Sequence, residues 1–143
     1  MRLIVLSLVL VFVFTCSSFA AVSAKGGLAG GAFRLSAAVD RPINDKVTLA
    51  GELGYGIGNN YSLVSAGVDV QTNIKNNIYI GAEVSYSSYS NPVTLGLPAV
   101  DINDKSGVGG GIYAGLTRDK MYAQAGYDTR MGAIAEAGYI LRM

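Results

Sequence analysis

Ala135-Glu136-Ala137-Gly138-Tyr139-Ile140-Leu141-Arg142-Met143 is the stretch whose period decides the fold. Taken two at a time, Ala135, Ala137, Tyr139, Leu141 and Met143 fall on one face, and Glu136, Gly138, Ile140 and Arg142 on the other. An extended strand turns successive side chains to opposite faces. One face is therefore continuously apolar and the other mostly small or charged, the pattern of a strand standing between lipid and a polar interior.

The same period runs back through the chain. It predicts strands over 28–39, 46–57, 61–70, 78–89, 92–100, 106–117, 121–128 and 131–143. In the first, Phe33, Leu35, Ala37 and Val39 alternate with Ala32, Arg34, Ser36 and Ala38. In the second, Val47, Leu49, Leu53, Tyr55 and Ile57 alternate with Thr48, Glu52, Gly54 and Gly56. Asp40 to Asp45, with Pro42 and Asn44-Asp45, supplies turn chemistry, as do Gly58-Asn59-Asn60 and Arg118-Asp119-Lys120. The segment 92–100 alternates, but Pro98 cannot donate to a ladder, so its rival reading is a long exposed loop. A bacterial single-chain barrel normally has an even number of strands. Counting 92–100 gives eight, whereas 21–27 are too few residues for a replacement at the start. One tension remains in this count. The turns before 46–57, 78–89 and 121–128 resemble one another, yet the third falls at the opposite end of the barrel.

A weak repeat accompanies the strands. Glu52, Glu83, Gln124 and Glu136 each precede a tyrosine by three residues: Tyr55, Tyr86, Tyr127 and Tyr139. An odd spacing puts the polar residue inward and the tyrosine outward, where a ring with a hydroxyl suits a membrane interface.

The other end of the chain has a leader's pattern. Arg2 precedes the apolar run Leu3 to Phe14, then small residues with cleavage options after Ala20 or Ala24. Residues 1–24 are expected to be a removed secretory signal, with one β-barrel domain over 25–143. The apolar run is short for a membrane helix, which needs about 20 residues. Cys16, the one cysteine, leaves with the signal; Val13-Phe14-Thr15 fits a lipidated cysteine poorly. The remainder balances ten basic against ten acidic residues and holds all nineteen glycines. Neutrality argues against a nucleic-acid partner. If the chain spans a membrane, a closed barrel is the way to pair its backbone groups in lipid.

An eight-stranded interior has room for side chains and little else. The inward set is Arg34, Glu52, Asp69, Glu83, Gln124, Glu136 and Arg142. If the strand 28–39 neighbours both the second and the last, and its turn centres on Ile43, Arg34 lies opposite Glu52 and beside Glu136. A structural salt-bridge plug is expected from these, because unpaired buried charges are costly. Asp69 and Glu83 have no evident basic partner, so each needs residual water or a proton. Catalysis finds little support. The chain has no histidine, which removes Ser-His-Asp arrangements, and zinc or haem ligation is unexpected without histidine or a remaining cysteine. The expectation is no enzyme activity, no cofactor and no metal. The glycine runs Gly26-Gly27, Gly30-Gly31 and Gly109-Gly110-Gly111 do not open helices, so they are not phosphate loops. They are expected to let strands bend inside a narrow barrel.

The spacing of Glu136, Gly138, Leu141 and Met143 resembles the C-terminal assembly signal of bacterial outer-membrane barrels, which usually closes on an aromatic where this chain has Met143. With the leader, the alternation and the polar-x-Gly-Tyr strands, the chain resembles small outer-membrane β-barrels of the OmpX, opacity-protein and OmpA transmembrane-domain type. That resemblance implies an up-and-down transmembrane barrel secreted across the inner membrane into the bacterial outer membrane. It implies outer-membrane lipid as surroundings and the barrel assembly machinery as a partner of the last strand. It further implies a non-enzymatic role in adhesion, host interaction or envelope integrity. The chain departs from the family in its very short loops, which carry recognition there. The competing expectation is a secreted or periplasmic soluble barrel binding a small apolar ligand. That fold needs the reverse orientation, with aliphatic residues inside.

Overall fold

In a computed structural model of the protein, residues 21–59, 61–90 and 106–142 are described. They form eight antiparallel strands in one closed barrel: β1 (Ala21–Ala29), β2 (Ala32–Pro42), β3 (Val47–Gly58), β4 (Tyr61–Lys75), β5 (Ile78–Tyr89), β6 (Ser106–Arg118), β7 (Met121–Asp128) and β8 (Gly132–Arg142). Each strand pairs with its sequence neighbours, and β1 pairs with β8 to close the ladder.

The strand count agrees with expectation, but one member differs. The expected strand 92–100 lies outside the described residues, and β5 pairs directly with β6. The eighth strand is Ala21–Ala29, a segment the sequence reading judged too short. Its first four residues fall within the segment read as a signal peptide, yet they sit in the ladder: Ala24 faces Ala37 on one side and Tyr139 on the other.

The cause is local. Gly30 and Gly31 have φ of 55° and 86°, backbone that side chains rarely tolerate and that two-residue hairpin turns require. They end one strand and start the next, which moves the beginning of the expected strand 28–39 to Ala32. The gain of β1 also removes the tension over the turns. The connections 43–46, 76–77 and 119–120 all lie at one end, together with Ala21 and Arg142; we call this the terminal end. In the first of these turns the Asn44 side-chain oxygen accepts from the backbone N–H of Lys46 and of Val47, each at 2.9 Å, an Asx turn.

Most of the large aliphatic side chains face outward, around the whole barrel. Leu35, Leu53, Val64, Val84, Val108, Ile112 and Leu116 are all exposed, Val108 and Ile112 by about 70 and 71 %. Inside, the far end is filled by a cluster of Ala29, Ala32, Tyr61, Leu63, Tyr89, Met131 and Ile134. The Tyr61 and Tyr89 rings lie 5.9 Å apart. Their hydroxyls donate to the backbone oxygens of Gly30 and Arg130 at 3.2 and 3.0 Å, so the aromatic cluster is tied to the two turns above it.

Tyrosines also fill the lumen towards the terminal end, and glycines make room for them. Tyr79 stands opposite Gly115, Tyr113 opposite Gly81 and Tyr122 opposite Gly138. A Cβ at Gly81, Gly115 or Gly138 would lie only 2.3, 2.2 or 2.4 Å from the facing ring. These three inward glycines thus serve as seats for rings.

A glycine packed on backbone should tolerate substitution least. A Cβ at Gly126 would sit 2.2 Å from the Ile112 carbonyl oxygen and 2.6 Å from the Tyr113 Cβ, whereas at Gly110 its nearest neighbour would be the Glu83 backbone oxygen, 3.6 Å away. Gly126→Ala should destabilise the barrel by about 1–3 kcal/mol, and Gly110→Ala should stay within about 0.5 kcal/mol of the parent. Urea unfolding of the refolded protein in detergent measures both.

Candidate functional site: the charged network in the lumen

Four buried charges meet at mid-barrel. Lys25 comes from β1, Arg34 from β2, Glu52 from β3 and Glu136 from β8. Arg34 Nη1 donates to Glu136 Oε1 at 2.9 Å, and Arg34 Nη2 contacts Glu52 Oε1. Lys25 Nζ contacts Glu52 Oε2 and lies 3.3 Å from Glu136 Oε2. Each cation therefore touches both carboxylates, and the square is neutral. Buried charges at these positions would be costly singly and are tolerable in this closed set.

The register explains how the four converge. Gly27 pairs with Arg34 on one side and with Glu136 on the other. A Cβ at Gly27 would run into the Ala135 carbonyl oxygen at 2.1 Å. With no side chain there, the guanidinium crosses β1 to reach β8. On the other side, Arg34 lies opposite Gly56, and Glu52 opposite Ala38. The expected centre at Ile43 is thus displaced, because the turn 43–46 sits further along. Arg34 meets Glu52 diagonally, across Gly54, where a Cβ would come within 2.6 Å of Arg34 Nε. β2 is also not beside the last strand, as the sequence reading had it; β1 stands between them.

Hydrogen bonds extend the network around the wall. Arg34 Nε and Nη2 donate to Ser65 Oγ on β4 at 3.1 and 2.9 Å. Gln124 Nε2 on β7 donates to Glu136 Oε2 at 3.2 Å, and the Tyr79 hydroxyl on β5 donates to Gln124 Oε1 at 3.2 Å. The Tyr79 and Tyr113 rings meet edge to face at 6.2 Å, which brings in β6. Every strand thus contributes a side chain to one connected set.

The remaining expected residues take varied places. Asp69 and Glu83 face each other directly across β4 and β5. Gln71 Nε2 donates to Asp69 Oδ1 at 3.3 Å, and neither carboxylate forms an ion pair among the described residues. They stand outside the square. Beyond it a small polar cavity of about 70 Å³ remains towards the terminal end, bordered by Asp40, Asp69, Gln71 and Tyr122 among others. Tyr55, Tyr86, Tyr127 and Tyr139 all point outward and are exposed. The first three lie near the far end of their strands, and Tyr139 lies near the terminal end. Of the terminal motif, Glu136 belongs to the square, Gly138 seats Tyr122, and Leu141 is exposed on the outer face. Met143 and the side chain of Arg142 lie outside the described residues.

Lys25 is the member that sequence reasoning missed. It stood beside a cleavage option, at the head of an expected mature chain. The signal that could have found it is Gly30-Gly31 as a hairpin turn, which sets Lys25 on the same inward face as Arg34. A second polar knot closes the far end of β7. Asp128 accepts from Ser85 Oγ at 2.8 Å and from the backbone N–H of Arg130 and Met131 at 2.7 and 2.8 Å. Among the described residues no group of three or more His, Cys, Asp or Glu is placed to hold a metal ion.

Fold and site together define a closed antiparallel barrel with charges inside and aliphatic side chains outside. Compared with protein-family models, curated proteins and solved structures, the chain has no match.

Charge balance gives the test of the square. Arg34→Met leaves one carboxylate in excess and should cost about 3–5 kcal/mol, the loss expected when one side of a buried pair is removed. Adding Glu136→Gln leaves Lys25 with Glu52 and should restore a good part of that loss. Urea unfolding in detergent measures both. A double variant no more stable than the single one would assign the loss to packing of the arginine stem.

Proposed function

We propose that the chain is an integral outer-membrane β-barrel protein with a side-chain-filled lumen, serving a structural or surface role and not catalysis or open-pore transport. The carrying observation is the inversion of its faces. Lys25, Arg34, Glu52 and Glu136 are buried inside, whereas leucines, isoleucines and valines of the outer face are exposed. A soluble barrel that binds an apolar ligand needs the opposite arrangement. Large contiguous apolar surface marks a membrane or protein interaction site, and an unbroken ladder pairs the strand backbones without water. Strands of 8–15 residues suit a bilayer core crossed by roughly 9–11 tilted residues. Tyr55, Tyr86 and Tyr127 towards one end and Tyr139 towards the other fit aromatic belts at two interfaces. The filled interior supports the non-transport half of the proposal: an apolar cluster occupies the far end and the ion square the middle.

This reading includes a removed leader. Cleavage after Ala20 leaves β1 whole, whereas cleavage after Ala24 would remove Ser23, which accepts from the Tyr122 hydroxyl at 3.3 Å. N-terminal sequencing of the protein isolated from membranes is expected to begin at Ala21.

The full chain should fractionate with outer membranes, resist carbonate extraction and shift on gels between unheated and heated samples. Recovery from the periplasm without detergent would overturn the proposal. A paired substitution tests the face directly. Leu53 lies mid-strand on the outer face, and Ile43 is exposed in a turn beyond the belt. Leu53→Arg should lower folding stability in lipid by about 2–4 kcal/mol at the midplane, and Ile43→Arg should change little. Equal tolerance of both is the behaviour of a water-facing wall.

A further inference from the structure

We propose that the outer groove where β6, β7 and β8 approach the terminal end holds an acyl chain of an anionic glycerophospholipid, with its phosphate at Arg118 and Lys120. The inference rests on the membrane-spanning reading and names a partner for one part of that wall.

The groove is built by register. Leu116, Ala123 and Ala137 stand in one row across the three strands, and Arg118, Met121 and Tyr139 in the next. The two alanines form a low floor beneath the taller Leu116, Met121 and Tyr139, which are exposed. The result is an open trough of about 920 Å³. Its end is rimmed by Arg118, Asp119 and Lys120, all exposed. With Asp119 counted the rim is net positive, and neither cation forms an ion pair among the described residues.

An apolar trough leading to two cations asks for an occupant with an apolar tail and an anionic head. A peptide strand would need a free ladder edge, and a closed barrel has none. A second copy packed through the same patch would set these cations against their own counterparts, since an isologous interface is self-complementary. A second outer groove, of about 690 Å³ between β4 and β7, has only apolar and uncharged lining residues such as Val70, Ile80 and Tyr127. It offers an anionic head nothing, and so serves as an internal contrast.

The test uses the full chain refolded into phosphatidylcholine vesicles with or without phosphatidylglycerol, each lipid also carried as a spin-labelled probe. Phosphatidylglycerol should be enriched at the protein over phosphatidylcholine. A cation beside an anionic headgroup changes partition by about fivefold. Arg118→Gln with Lys120→Gln should therefore reduce the enrichment by up to about 25-fold, or abolish it. Ala123→Leu, which fills the floor and leaves both cations, should reduce it as well. Lys46→Gln with Lys75→Gln, one in another turn of the same end and one at the end of β4 beside the next turn, should leave most of it. Insertion with no preference for phosphatidylglycerol overturns the lipid site alone. So does an equal loss from the two charge pairs, which would mark a diffuse electrostatic effect. Failure to enter either vesicle overturns the spanning reading and this site with it.

Discussion

The pairing of β1 with both β2 and β8 is the interaction on which the rest of the structure depends. Remove it and the sheet has two open edges, each a row of unpaired backbone groups. Closure also creates the lumen, and only a lumen gives Lys25, Arg34, Glu52 and Glu136 a common place to meet. The square in turn joins β1 to β3 and β8 and joins β2 to both of the latter. Backbone closure and side-chain closure therefore reinforce each other at the same seam. Gly27 is the point where both requirements fall on one residue: it is paired in two ladders and bare enough for an arginine to cross.

The two ends of the barrel are filled differently. At the far end, rings and aliphatic groups pack together and are tied by hydroxyls to the turn backbone. At the terminal end, tyrosines, carboxylates and glutamines surround a small polar cavity. The outer wall shows the same asymmetry, with three outward tyrosines towards one end and basic turn residues at the other. A protein with a polarised interior and exterior has an inherent direction, and its two ends are suited to different surroundings.

Much of this was legible from alternation alone. The strands expected at 46–57, 78–89, 106–117 and 121–128 appear within about one residue of their bounds, because each alternates cleanly between recognisable turns. The first strand was obscured for physical reasons. Ala21-Val22-Ser23-Ala24 has the small residues of a cleavage site, and Gly26-Gly27 interrupts the alternation where the lumen needs empty space. The resemblance among the turns before β3, β5 and β7 was the clue that a strand had been miscounted, since alike turns belong at one end. The diagonal reach of Arg34 was not legible, because it depends on a register that a turn displaced by two residues changes.

Alternation also leaves one degree of freedom open. A strand that slips by two residues keeps every aliphatic group outward and every polar group inward, so the hydrophobic pattern cannot reject the slip; only a one-residue shift reverses the faces. The tyrosine and glycine pairs between β5 and β6 supply the missing discrimination. Shift β6 by two residues one way and Tyr79 faces Tyr113, two rings competing for one space. Shift it the other way and Gly81 faces Gly115, leaving a void between them. Only the native alignment gives each ring an empty seat. These pairs thus act as a key that reads strand alignment while the barrel is being assembled, and they encode it in residue size, independently of polarity.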